Sequence, residues 1–289
     1  MGSEKNDWYD RVGTGDWSSF SSGHLEIDRI YSAAEEWKNA IRGVDRPWLC
    51  WNVSDKWCQL QQRLIKKVGW TPVVGFDPRV GPPTLEVGSV LIDFNKHFGF
   101  PVMWPQFPLE FAFRWIPNKL AFWHADLLCR YRVMQQLVEI FTSMQNGETA
   151  AVLDKGGFRN LLNVKGHRFW EVCGCTTPAA SENQFFNGTG WWRHFDQHIK
   201  CVLAIERENR RSVSYDSGTG ILYWKKFYRG RVIEIDVKLI DEGHCSEIRA
   251  KNYKQAESHL TALRNLQAEI DANYNLEKVA KRLGIADLL

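Results

Sequence analysis

Lys119–Leu137, KLAFWHADLLCRYRVMQQL, is the stretch whose reading decides the fold. Four apolar residues, Leu120 to Trp123, predict a short buried strand. His124, Ala125 and Asp126 follow, which sets two metal-capable side chains two positions apart. Beyond them Tyr131 to Phe141 has helical spacing, with Val133, Leu137, Ile140 and Phe141 on one side. A strand that ends in His-x-Asp and turns into a helix brings polar groups to the carboxyl end of a sheet, where α/β proteins bind ligands. Two readings of Asp126 stand at this point. It caps the following helix, with His124 an ordinary loop histidine, or it holds a cation.

Outward from this stretch the chain reads as alternating strand and helix. Pro47 to Val53 (PWLCWNV) is the first core strand, and Asp55 to Val68 is a helix facing inward through Trp57, Leu60, Leu64 and Val68. Thr71 to Phe76 is a second strand, stopped by Asp77-Pro78. This strand–helix–strand unit predicts parallel pairing. Further strands are expected at Ala150–Leu153, Phe169–Thr176 and Arg231–Ile240. Phe100 to Phe111, with three prolines, reads as irregular, and Tyr215 to Trp224 runs from a Gly-rich turn into an apolar segment. The expected fold is α/β, a mostly parallel central sheet flanked by helices.

Three divisions follow: an N-terminal arm and helix over 1–46, an α/β domain over 47–252, and a helical segment over 253–289. The last segment loses Trp, gains charge and reads as an appendage that packs back or pairs with another copy. With 289 residues, 44% hydrophobic and 25% charged, the chain is an ordinary globular one. A net charge of +3 argues against nucleic acid as the partner. No leader and no apolar run of about 18 residues stands out, and the seven cysteines lack paired CxxC spacing, so reduced thiols and a cytoplasmic location are expected. Fourteen tryptophans fill a core or stack on sugar rings.

Acidic and histidine side chains gather near the ends of apolar runs: His124 and Asp126, Asp216, and Asp241, Glu242 and His244. Carboxylates with imidazole around an open position suit a divalent cation, and turn or cap roles are the ordinary alternative. From about Trp48 to Ser246 the order of features resembles a GT-A-type nucleotide-sugar glycosyltransferase. The matching features are WNVSDKWCQLQQRL, then VVGFDP, then KLAFWHAD where that family carries its DxD motif, then NGTGWWRHF, and finally DEGHCS.

The resemblance implies that Asp126 binds a metal, Mn²⁺ or Mg²⁺, and that His244 completes the site. His124 stands where the first aspartate of DxD would be. It also implies a nucleotide-diphosphate sugar as donor and a carbohydrate or glycan as acceptor. Asp77, Trp191, Trp192 and Arg193 are the expected substrate contacts, and Asp216 or Glu182 the expected base. Arg130, Arg132, Lys225 and Lys226 are further candidates to offset diphosphate charge. A non-catalytic carbohydrate- or protein-binding module on the same fold is the main rival, since His124 departs from the motif. A metal hydrolase is another.

Overall fold

The computed structural model describes residues 27–78, 80–99, 106–154, 168–187, 189–191, 218–245 and 275–289. The arm over 1–23, Trp192, Arg193, Asp216 and the stretch 253–274 lie outside the described residues.

Among the described residues, seven strands form one mixed sheet: β1 (Pro47–Asn52), β2 (Thr71–Phe76), β3 (Val90–Leu91), β4 (Leu120–Trp123), β5 (Glu148–Asp154), β6 (Arg168–Thr176) and β7 (Arg231–Asp236). Their order across the sheet is β3-β2-β1-β4-β6-β5-β7. Pairings are parallel between β1 and β2, β1 and β4, β2 and β3, and β5 and β7, while β6 runs antiparallel to both β4 and β5. The expected mostly parallel sheet is therefore present, with one strand reversed. β1 and β4 are buried along their whole length. That burial explains their unbroken apolar runs, because a parallel strand covered on both faces has no solvent side to alternate towards.

Among the described residues, seven helices cover the two faces: α1 (Ile27–Ile41), α2 (Asp55–Lys67), α3 (Gln106–Arg114), α4 (Tyr131–Ser143), α5 (Pro178–Phe186), α6 (Thr219–Phe227) and α7 (Leu276–Leu283). On one face Trp57, Leu60 and Leu64 of α2, Met134 and Phe141 of α4, and Val279 and Leu283 of α7 pack around Trp48. Trp48 meets Trp70, Trp123 and Phe141 with ring centroids 5.3–5.5 Å apart. On the other face Trp37 of α1, Phe111 and Phe113 of α3, and Ile221 of α6 cover Trp51 and Phe122. Most of the described tryptophans thus fill core.

Two local expectations change, and one apolar segment gains an element. Gln106–Arg114 is a helix rather than irregular chain. Pro108 is its third residue, where the backbone N–H has no intrahelical acceptor to lose. Thr219–Phe227 is also helical. β7 ends at Asp236, not Ile240, because the Asp236 carboxylate accepts from the Lys238 N–H at 3.0 Å and caps a 3-10 turn over Val237–Leu239. Of the two expectations for the C-terminal segment, its described end meets the first and packs back. Val279, Ala280, Leu283 and Ile285 sit in the same core as the sheet, because their helical spacing gives α7 one apolar side that must be covered.

Six cysteines, Cys50, Cys58, Cys129, Cys173, Cys175 and Cys245, are buried free thiols. Burial pushes Cys50 and Cys129 up to about 12 and Cys245 up to about 11, and raises the other three as well. A raised thiol pKa keeps the sulfur protonated at neutral pH, and the thiol is a poor nucleophile. Iodoacetamide at neutral pH is expected to leave these six unmodified in the native protein and to label them after denaturation. Native labelling of Cys173 or Cys175 on β6, read by peptide mass, would contradict this packing.

Candidate metal centre

The chain leaves β1 towards β2 and β3, then returns to place β4 on the other side of β1. A sheet whose order reverses this way opens a crevice at the carboxyl ends of the two central strands. His124 is the first residue after β4, so the sequence delivers it directly to that crevice. Its N–H donates to the Val172 carbonyl of β6 at 2.8 Å, which fixes where the strand ends.

The loop 124–128 is then braced from two sides. Gln61 of α2 donates through Nε2 to the carbonyls of His124 and Leu127, both at 2.8 Å. Residues 243–245 lie against it as a short antiparallel bridge between Leu127 and His244. Leu128 N–H donates to the Gly243 carbonyl at 3.1 Å, and Cys245 N–H donates to the Asp126 carbonyl at 3.0 Å. Gly243 permits this approach, since a Cβ there would lie 1.6 Å from the Leu128 carbonyl oxygen.

This bracing gathers three side chains from distant parts of the chain. Asp126 Oδ1 lies 3.6 Å from His124 Nδ1 and 3.6 Å from His244 Nε2. One donor atom from each residue fits within 4.8 Å of the others, as a metal site requires. The three side chains are only 10–13% exposed. A distance of 3.6 Å is too long for the charge-assisted hydrogen bond that an imidazolium and a carboxylate make at about 2.7–2.9 Å. It is close to the spacing of roughly 3.4 Å between ligands held about 2.1 Å from one tetrahedral ion. The set can hold a divalent cation. The ring of Trp170 stands 6.3 Å from that of His244, centroid to centroid, and walls one side.

Asp126 does not cap the following helix. The cap residue of α4 is Arg130, which makes no side-chain capping bond, and the helix begins at Tyr131. Arg130 instead binds the Glu242 carboxylate through Nε at 2.7 Å. This hydrogen bond holds the Glu242 carboxyl below the usual carboxylate range. Arg130 is thereby committed to the segment that carries His244.

The other expected site residues divide. Asp77 is buried at the end of β2, on the same edge of the sheet, and its N–H donates to the Asn52 carbonyl at 3.3 Å. Asn52 Nδ2 donates to the Gly81 carbonyl at 3.1 Å, so the ends of β1 and β2 form one tied corner. Trp191 was expected to stack on an acceptor sugar, but it is fully buried, edge-on to Phe122 at 5.0 Å. With both faces of its ring covered, it is a core residue. Glu182 is exposed on α5. That helix starts beyond Thr176, which pairs with the first residue of β4, so Glu182 is not brought to the metal ligands. Trp192, Arg193 and Asp216 lie outside the described residues.

Two bracing residues escape a reading that looks only for ligands. Gln61 falls on the apolar stripe of α2, four positions from Trp57, and a polar residue at core spacing is its signal. Gly243 is visible only as a glycine between acidic residues and a histidine. No protein-family model, curated protein or solved structure compared with the chain matches it.

Proposed function

We propose that this chain is a metal-dependent glycosyltransferase of the GT-A type, moving a sugar from a nucleotide-diphosphate donor to a carbohydrate or glycan acceptor. One observation carries the reading: His124, Asp126 and His244 converge at the carboxyl end of β4, beside the point where the strand order reverses. That is the edge at which the GT-A resemblance expects a cation against the donor diphosphate. A bound divalent ion would offset the charge that develops on the diphosphate leaving group. Asp77 and Asn52, at the adjoining strand ends, are the candidates to hold the nucleoside. Asp216 is the candidate base and Arg193 the candidate cation, both on sequence position alone.

The donor set bears on the metal. Mg²⁺ favours oxygen ligands and retains its waters, whereas two imidazoles and a carboxylate suit Mn²⁺ or Zn²⁺ better. Mn²⁺ is the proposed ion. Two histidines and one carboxylate are also a zinc-hydrolase set, which makes hydrolysis the second reading.

Thermal unfolding with Mn²⁺, Zn²⁺ and a panel of nucleoside diphosphates separates the two. Mn²⁺ with the matching diphosphate, each far above its dissociation constant, is expected to raise Tm by roughly 5–10 °C. Either alone should do less than half of that. A full Zn²⁺ shift with no response to any diphosphate would overturn the transferase reading in favour of the hydrolase.

A further inference from the structure

The third ligand of the metal centre is not on the loop that carries the other two. His244 follows a 3-10 turn over Asp241–Gly243, and the described chain resumes at Asn275, just before α7. α7 then lies directly behind the ligand segment. A Cβ placed on Gly243 would be 3.6 Å from Leu283 Cδ1, and Leu283 is itself buried. Arg282 Nη2 donates to the Glu242 carbonyl at 3.1 Å. The helix is anchored independently of the metal loop. Asn275 caps it through the Lys278 N–H, and the turn beyond it is tied to α2 by Lys67 with Asp287 at 2.8 Å and by Arg63 with the Leu288 carbonyl at 2.7 Å. The 241–245 segment is thus pressed between the 126–128 backbone and α7.

We propose that α7 is the positioning element of the metal centre. Leu283 and Arg282 hold the 241–245 segment against the loop after β4 and so present His244 to His124 and Asp126. This rests on the metal reading above and on no particular reaction. Two consequences follow from the geometry. Loosening α7 weakens metal binding through His244 alone. By linkage, a bound metal must in turn tighten α7, although no α7 side chain belongs to the ligand set.

Both consequences are read on the full chain with Mn²⁺ as the probe, by the electron paramagnetic resonance of free Mn²⁺ and by amide hydrogen exchange. Leu283→Ala should weaken Mn²⁺ binding about tenfold or more, as loss of an outer-shell support does. Arg282→Ala, a change on the exposed face, should weaken it a few-fold while leaving the fold intact, and it decides the matter if Leu283→Ala does not fold. On a His244→Ala background neither change should weaken binding further, because both act through that imidazole. Mn²⁺ should slow exchange over 276–283 in the wild type and not in His244→Ala. Wild-type affinity in both variants, losses that add to that of His244→Ala, or exchange in α7 indifferent to Mn²⁺ would each overturn the proposal. A wild-type chain that binds no Mn²⁺ would overturn the metal centre and this proposal together.

Discussion

Asp126→Ala is expected to abolish the stabilisation that Mn²⁺ confers, and with it the metal-linked response to nucleoside diphosphate. The carboxylate is the shared neighbour of both imidazoles, 3.6 Å from each, so its removal takes away the one hard, anionic ligand of the set. Affinity should fall by more than about 100-fold, beyond the cost of losing an outer-shell partner. The metal-free fold should change by less than about 1 kcal/mol. The backbone carbonyl of Asp126, which accepts from Cys245, is kept by alanine. No helix cap is lost, since the N-cap position of α4 is Arg130 and not Asp126. Urea unfolding with and without Mn²⁺ measures both halves. A large loss of metal-free stability with an unchanged Mn²⁺ shift would mean that Asp126 is structural and that the ion sits elsewhere.

Gly243→Ala should damage fold and site at once. The new methyl group would lie 1.6 Å from the Leu128 carbonyl oxygen, and because that atom is backbone no side-chain movement relieves the clash. Either the 243–245 segment moves off the loop or the loop moves off Gln61. The first breaks two backbone hydrogen bonds and withdraws His244; the second uncovers a buried amide. A loss of about 3 kcal/mol, the upper part of the range for overpacking, is expected in urea unfolding. Mn²⁺ titration should show binding reduced to that of His244→Ala. An alanine variant with wild-type stability and affinity would show that the close approach is not needed.

The centre of the fold was legible because its strands are short, wholly buried and bounded by polar residues. PWLCWNV and LAFW admit little else, and the His-x-Asp that closes the second falls at a strand end by simple counting. That His244 joins Asp126 was readable only through the order of motifs. Nothing local to DEGHCS says which strand it will lie beside. The reversal of β6 left no trace either, since the side-chain pattern of a buried strand is the same in both directions. Trp191 was misjudged because two adjacent tryptophans near glycines look the same whether a core or a sugar covers them. The covering residues, Phe113 and Phe122, come from a helix and a strand about 70–80 positions earlier. The Gln106–Arg114 helix was hidden by Pro108, whose cost depends on where in the helix it falls.

The late arrival of the third ligand also matters while the chain is being made. His244 follows His124 by 120 residues and all seven strands precede it, so the ribosome releases a histidine–aspartate pair well before its partner. At about 5–20 residues per second that interval lasts roughly 6–24 s. An ion captured by the first two ligands could still exchange freely. On the proposed metal reading, the ligand set would be completed only once residue 244 reaches the loop after β4, later than every strand described above.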